Sequence, residues 1–77
     1  MKWQDYIHVV SGVRSAKACL VGTRITPTEV LEYLAGGMSE DEILADFPSV
    51  TLEHIRAVLA YAAERERRYV TKTNAAA

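Results

Sequence analysis

The sequence predicts a small, mainly α domain in which three helices in a helix-turn-helix-like arrangement follow a short pair of N-terminal β-strands. Three observations carry that expectation. Residues 26–55 hold three successive helix-start patterns, each a Ser or Thr followed by acidic residues and flanked by apolar ones. Two stop signals, Gly36-Gly37 and Phe47-Pro48, separate them. Before residue 25 the helical period is absent and two β-prone runs take its place. With 77 residues in all, the chain can build one core and no more.

The strands are expected over about residues 6–10 (Tyr6-Ile7-His8-Val9-Val10) and 18–21 (Ala18-Cys19-Leu20-Val21), around a Ser11-Gly12 break. The first helix should run over about 27–35. Thr26 is its N-cap, Pro27 occupies the first helical position where its missing N–H costs nothing, and Glu29 completes a capping box. Gly36-Gly37 should end it in a left-handed glycine cap. Ser39-Glu40-Asp41-Glu42 opens a second, short helix over about 40–46, with Met38 and Ile43 as its hydrophobic staple. Thr51 opens the third, with Val50 and Ile55 as staple and Glu53 in the first turn, over about 52–68. One domain over 1–70 and a frayed tail over 71–77 complete the layout.

Composition excludes several classes. Hydrophobic residues make up 49% and charged residues 25%, which places the chain among folded domains. The single cysteine, Cys19, cannot close an internal disulfide, and with His8 and His54 it lacks the ligand count of a structural zinc site, so neither metal nor cofactor is expected. No run approaches the ~20 apolar residues of a membrane span, and no signal-peptide pattern opens the chain, so a cytoplasmic protein is expected. The net charge of −1 hides a strong asymmetry. Residues 25–55 hold seven acids and no Lys or Arg, between two segments that each carry a net +3.

Gly22-Thr23-Arg24-Ile25, then Leu34-Ala35-Gly36-Gly37, Met38-Ser39-Glu40-Asp41-Glu42-Ile43-Leu44, Phe47-Pro48 and Ala57-Val58-Leu59-Ala60-Tyr61-Ala62 occur in one order and at one spacing. In these elements the chain resembles the DUF433 family, over about residues 6–66. The resemblance implies a homeodomain-like helix-turn-helix fold and an antitoxin-like protein, often encoded beside a PIN-like ribonuclease toxin. Members of the family usually carry Gly-Lys/Arg-Pro ahead of the GTR residues. Here that stretch is Ser15-Ala16-Lys17-Ala18, which keeps the cation and loses the glycine and proline.

Within Gly22-Thr23-Arg24, the glycine should make a turn and Arg24 should pair with an acid of the following helices, although an arginine beside a glycine turn also forms a good fork for carboxylate or phosphate. Arg65, Arg67 and Arg68 with Tyr69 form a basic helix end. They are the candidate toxin-binding residues, because a PIN-like nuclease gathers carboxylates around divalent metals and an arginine inserted there would satisfy them. The alternative is a dimeric regulator of its own operon that reads operator DNA through Thr51, His54 and Arg56 at the start of the third helix. The nearby acids oppose the phosphate contacts that supply most of such affinity.

No nucleophile, base and orienter can be assembled, Cys19 should be an inert buried thiol, and Tyr61 should bury its ring, so no catalysis is expected. The expected core is Val30, Leu31, Leu34, Ile43, Leu44, Phe47, Ile55, Val58, Leu59 and Ala62. It is small enough that a homodimer is expected, through either the strands or the long helices.

Overall fold

The computed structural model describes residues 1–10 and 17–73, with Val10, Lys17 and residues 69–73 described by their backbone alone. The Ser11-Gly12 break, Ser15 and Ala16, the Tyr69 side chain and the tail over 74–77 lie outside the described residues. A 3-10 turn, Trp3–Asp5, leads into β1 (Ile7–Val10), which pairs antiparallel with β2 (Lys17–Leu20). Three helices follow: α1 (Pro27–Ala35), α2 (Glu40–Asp46) and α3 (Leu52–Thr73). The chain is thus mainly helical, with a two-stranded antiparallel sheet near its N-terminus.

Local chemistry sets the helix ends. Thr26 Oγ1 accepts from the Glu29 N–H at 3.1 Å while Glu29 Oε1 accepts from the Thr26 N–H at 3.0 Å. Ser39 and Glu42 repeat the exchange at 3.1 and 2.8 Å. α1 closes in a Schellman motif: the Met38 N–H reaches the Tyr33 carbonyl at 3.0 Å and the Gly37 N–H the Leu34 carbonyl at 3.1 Å. Gly37, at φ 102°, supplies the left-handed residue; Gly36, at φ −79°, is still right-handed. α3 continues five residues past the expected Arg68 and takes in the first part of the expected tail, since no Gly or Pro follows Pro48 to stop it.

Val30, Ile43 and Ile55 each lie four residues after a cap, and all three are completely buried. Each cap therefore aims the first inward side chain of its helix at one point. Leu20, Ala57 and Val58 are equally buried, and Ile7 and Val50 nearly so. Ile7 and Leu20 are register partners on one face of the sheet, so the two strands add their inward residues to the helical core as a pair. Tyr33 stacks on Phe47 with centroids 5.0 Å apart, joining α1 to the end of α2.

The core departs from expectation at Leu59, which is 44% exposed, and at Ala62, which is half-buried and stands outside the core cluster. One position beyond Val58 turns a helical side chain by about 100°. The Trp3 turn and the sheet pack α3 on the side of His54 and Tyr61 instead. Ile7, Leu20, Val50 and Ala57 join the core where Leu59 does not.

Candidate functional site

The loop that follows β2 shows why its residues are Gly-Thr-Arg-Ile. Gly22 sits at φ 81°, a left-handed conformation that costs other L-residues about 1–2 kcal/mol. Thr23 Oγ1 donates to the Leu20 carbonyl at 3.0 Å and accepts from the Ile25 N–H at 2.9 Å, pinning the turn from both sides. The Leu20 N–H reaches the Ile25 carbonyl at 2.9 Å, and the Val21 N–H joins the Tyr6 carbonyl at 2.8 Å. Ile25 packs against the core. Arg24 is exposed and, among the described residues, makes no ion pair, so the expected partnership with an acid of the following helices does not form. It is the one member of the tetrapeptide without a structural task.

His54 is 7% exposed and sits where a third capping box would hold Glu or Gln. Its Nδ1 accepts from the Thr51 N–H at 3.0 Å, and the His54 N–H donates to Thr51 Oγ1 at 3.2 Å. An amide N–H can only donate and a carbonyl can only accept, so the bond from Nε2 to the Val21 carbonyl, at 3.0 Å, assigns the Nε2–H tautomer. The helix-turn-helix alternative puts His54 on a DNA-reading face. Its ring is instead turned inward and both nitrogens are engaged. Thr51 is exposed but its hydroxyl caps α3, which leaves Arg56 as the one solvent-facing side chain of the three that, among the described residues, makes no hydrogen bond or ion pair.

An open groove of about 770 Å³ lies between the sheet and the helices, lined among others by Ala18 and Cys19 of β2, the cap residue Thr26 and Leu31 of α1, and Tyr61 and Arg65 of α3. Cys19 is half-buried on its wall, more accessible than a strand-centre thiol was expected to be. The Tyr61 ring meets the Trp3 indole edge to face, with centroids 4.7 Å apart. The Arg65 guanidinium lies 5.5 Å from the Tyr61 centroid, and Arg65 Nη1 donates to the Tyr61 hydroxyl at 3.3 Å. The ring therefore anchors an exposed arginine at the groove.

The basic helix end does not form one patch. Arg65 faces the groove with Tyr61, and Arg68 is drawn to Glu64 at 3.3 Å. Arg67 lies about 200° around the helix from Arg65, on the far side. Among the described residues, no group of three His, Cys, Asp or Glu side chains could hold a metal ion, and no helix is long and apolar enough to cross a membrane.

A family model described as "Protein of unknown function (DUF433)" matches residues 7–62, from the start of β1 to the middle of α3. The chain belongs to the DUF433 family. No curated protein and no solved structure matches it. The DUF433 match takes in the capped helices, the GTRI turn, His54 and Tyr61, and it ends short of Arg65. The groove thus joins two parts of the chain: walls from the DUF433 segment, and a basic helix end that follows it.

Proposed function

We propose that this DUF433 domain is a non-catalytic antitoxin that acts in the cytoplasm, binding a PIN-like ribonuclease through the basic end of α3. Such a nuclease gathers carboxylates around divalent metals, and a guanidinium is the side chain best suited to occupy that acidic cleft. The observation that carries the reading is Arg65, exposed and held across the Tyr61 ring at the edge of an open groove. A fork already ordered against an aromatic ring gives up less side-chain entropy when it meets a carboxylate. From Ala63 to Arg68 the helix keeps only Glu64 half-buried, so this end of α3 is free to enter a cleft.

The test is co-expression with the product of the adjacent gene, with complex formation followed by light scattering and RNA cleavage measured alongside. A stable complex with suppressed cleavage is expected. The combined Arg65→Ala, Arg67→Ala, Arg68→Ala variant should lose suppression while keeping its helical circular dichroism. Full suppression by that variant would remove this reading.

Operator binding is the second reading, favoured by the α2-turn-α3 arrangement. Charge supports it less, because the inward turn of His54 leaves Arg56 among the acids of residues 25–55. A steep salt dependence for a promoter fragment, lost with Arg56→Ala, would move the assignment there.

A further inference from the structure

α3 carries a second face that the fold of one chain does not use. Leu52, Arg56, Leu59, Ala63 and Glu66 follow one another at spacings of four and three, which brings them within about 40° of a single line along the helix. The line points away from the buried His54, Ala57 and Val58, and the buried Ile55 flanks it at about 60°. At its middle Leu59 is 44% exposed, with Ala63 exposed one turn further on. Arg56 and Glu66, toward its two ends, are exposed and, among the described residues, make no ion pair.

We infer that this stripe is the interface of a symmetric homodimer in which two α3 helices pack antiparallel about a two-fold axis level with Tyr61. Charge and shape select the occupant and its direction together. Arg56 and Glu66 are equidistant from position 61, and so are Leu59 and Ala63. Antiparallel pairing about that point sets Arg56 against Glu66 of the second copy and Leu59 against its Ala63, and the two-fold axis makes both contacts twice. Parallel pairing in register would set Arg56 against Arg56 and Glu66 against Glu66, which is repulsive at both ends.

The large-against-small layer lets the helices approach closely. Arg56 is then engaged at the dimer seam, while Arg65 stays with Tyr61 at the groove, whose lining reaches Glu66 at the end of the stripe.

Sedimentation equilibrium on the full chain tests this. The wild type should have twice the 8.5 kDa monomer mass. Leu59→Asp should be monomeric where the wild type is dimeric, with an unchanged helical spectrum. Arg56→Glu should weaken the dimer by at least about tenfold, since two attractive pairs become repulsive. Adding Glu66→Arg to the same chain should restore it. A wild type that stays monomeric, a dimer indifferent to Leu59→Asp, or a charge swap that fails to restore association would each overturn the inference. The second of these outcomes would assign the dimer to another surface, such as the strand edges.

Discussion

The His54 Nε2–H donates to the Val21 carbonyl at 3.0 Å, across 33 residues of chain, and so ties the first turn of α3 to the loop that follows β2. The other nitrogen of the same ring caps α3 through the Thr51 N–H. One buried side chain therefore sets both where the long helix starts and where the GTRI turn sits against it.

His54→Ala should destabilise the domain by about 2–4 kcal/mol, from a lost cap, an unpaired carbonyl and a cavity. His54→Gln offers an amide oxygen at the capping-box position and should recover about 1 kcal/mol of that, without the tie to Val21. Urea unfolding of the three proteins checks this. Equal destabilisation by Ala and Gln would show that the imidazole has no capping role.

The tetrapeptide after β2 should divide into structural and functional members. Gly22→Ala forces a Cβ into the left-handed region at φ 81° and should cost about 1–2 kcal/mol, although the space around it is open. Thr23→Val keeps the shape but loses two hydrogen bonds, for a similar cost. Arg24→Ala should leave stability within about 0.5 kcal/mol, because its exposed side chain makes no ion pair among the described residues. Thermal unfolding midpoints would read all three, and a marked fall for Arg24→Ala would reveal an intramolecular role for that cation.

The helix ends were legible because a cap is written in four consecutive residues. Thr26 to Glu29 and Ser39 to Glu42 contain both partners of each exchange, and the bounds of α1 and α2 coincide with those read from sequence. His54 was not legible in the same way. Half of its task depends on Val21, and no local pattern announces a partner 33 positions away. Leu59 was misread because periodicity gives the spacing of an apolar face but not which neighbours will cover it. The charge count around Arg24 gave the sign of its surroundings and not the direction of its side chain. Tyr61 and Arg65 lie four apart on one helix, a spacing that permits their contact without announcing it. Trp3 packs on the same Tyr61 ring from the other end of the chain, a contact that no spacing in the sequence encodes.

Stability should depend on pH through Glu42. Its carboxylate accepts the Ser39 backbone N–H at 2.8 Å, and with the Ser39 hydroxyl this holds its pKa below the usual carboxylate value of 4.5. A depressed folded pKa means that the ionised form is favoured by folding. The contribution is complete above the unfolded pKa and is lost as pH falls below 4.5 through the folded value. Glu42→Gln retains an acceptor for the Ser39 N–H without a titrating charge, so its unfolding midpoint should fall less steeply with acid over that window. Identical acid slopes for the two proteins would show that the exposed cap contributes nothing to the pH dependence.

The proposed antitoxin role predicts that Arg65 and Arg68 differ in their effect on nuclease binding although they lie one turn apart. Arg68 is drawn to Glu64 at 3.3 Å, so its charge is partly answered within the helix. Arg65 is ordered by an aromatic ring and a hydroxyl, neither of which neutralises it. A carboxylate arriving at the groove would therefore find the full charge of Arg65 already in place. Arg65→Ala should weaken the complex by at least about tenfold, the scale of a charge-assisted hydrogen bond, and Arg68→Ala by much less. Arg65→Lys should recover only part of the loss, because an ammonium cannot form a two-point fork or stack on Tyr61 in the same way. Tyr61→Phe keeps the ring and removes the hydroxyl, so it should fall between wild type and Arg65→Ala. Titration calorimetry with the purified nuclease, paired with RNA cleavage, reads the series. Equal losses at Arg65 and Arg68 would mean that the nuclease senses the basic helix end as a diffuse charge rather than through the arginine held over Tyr61.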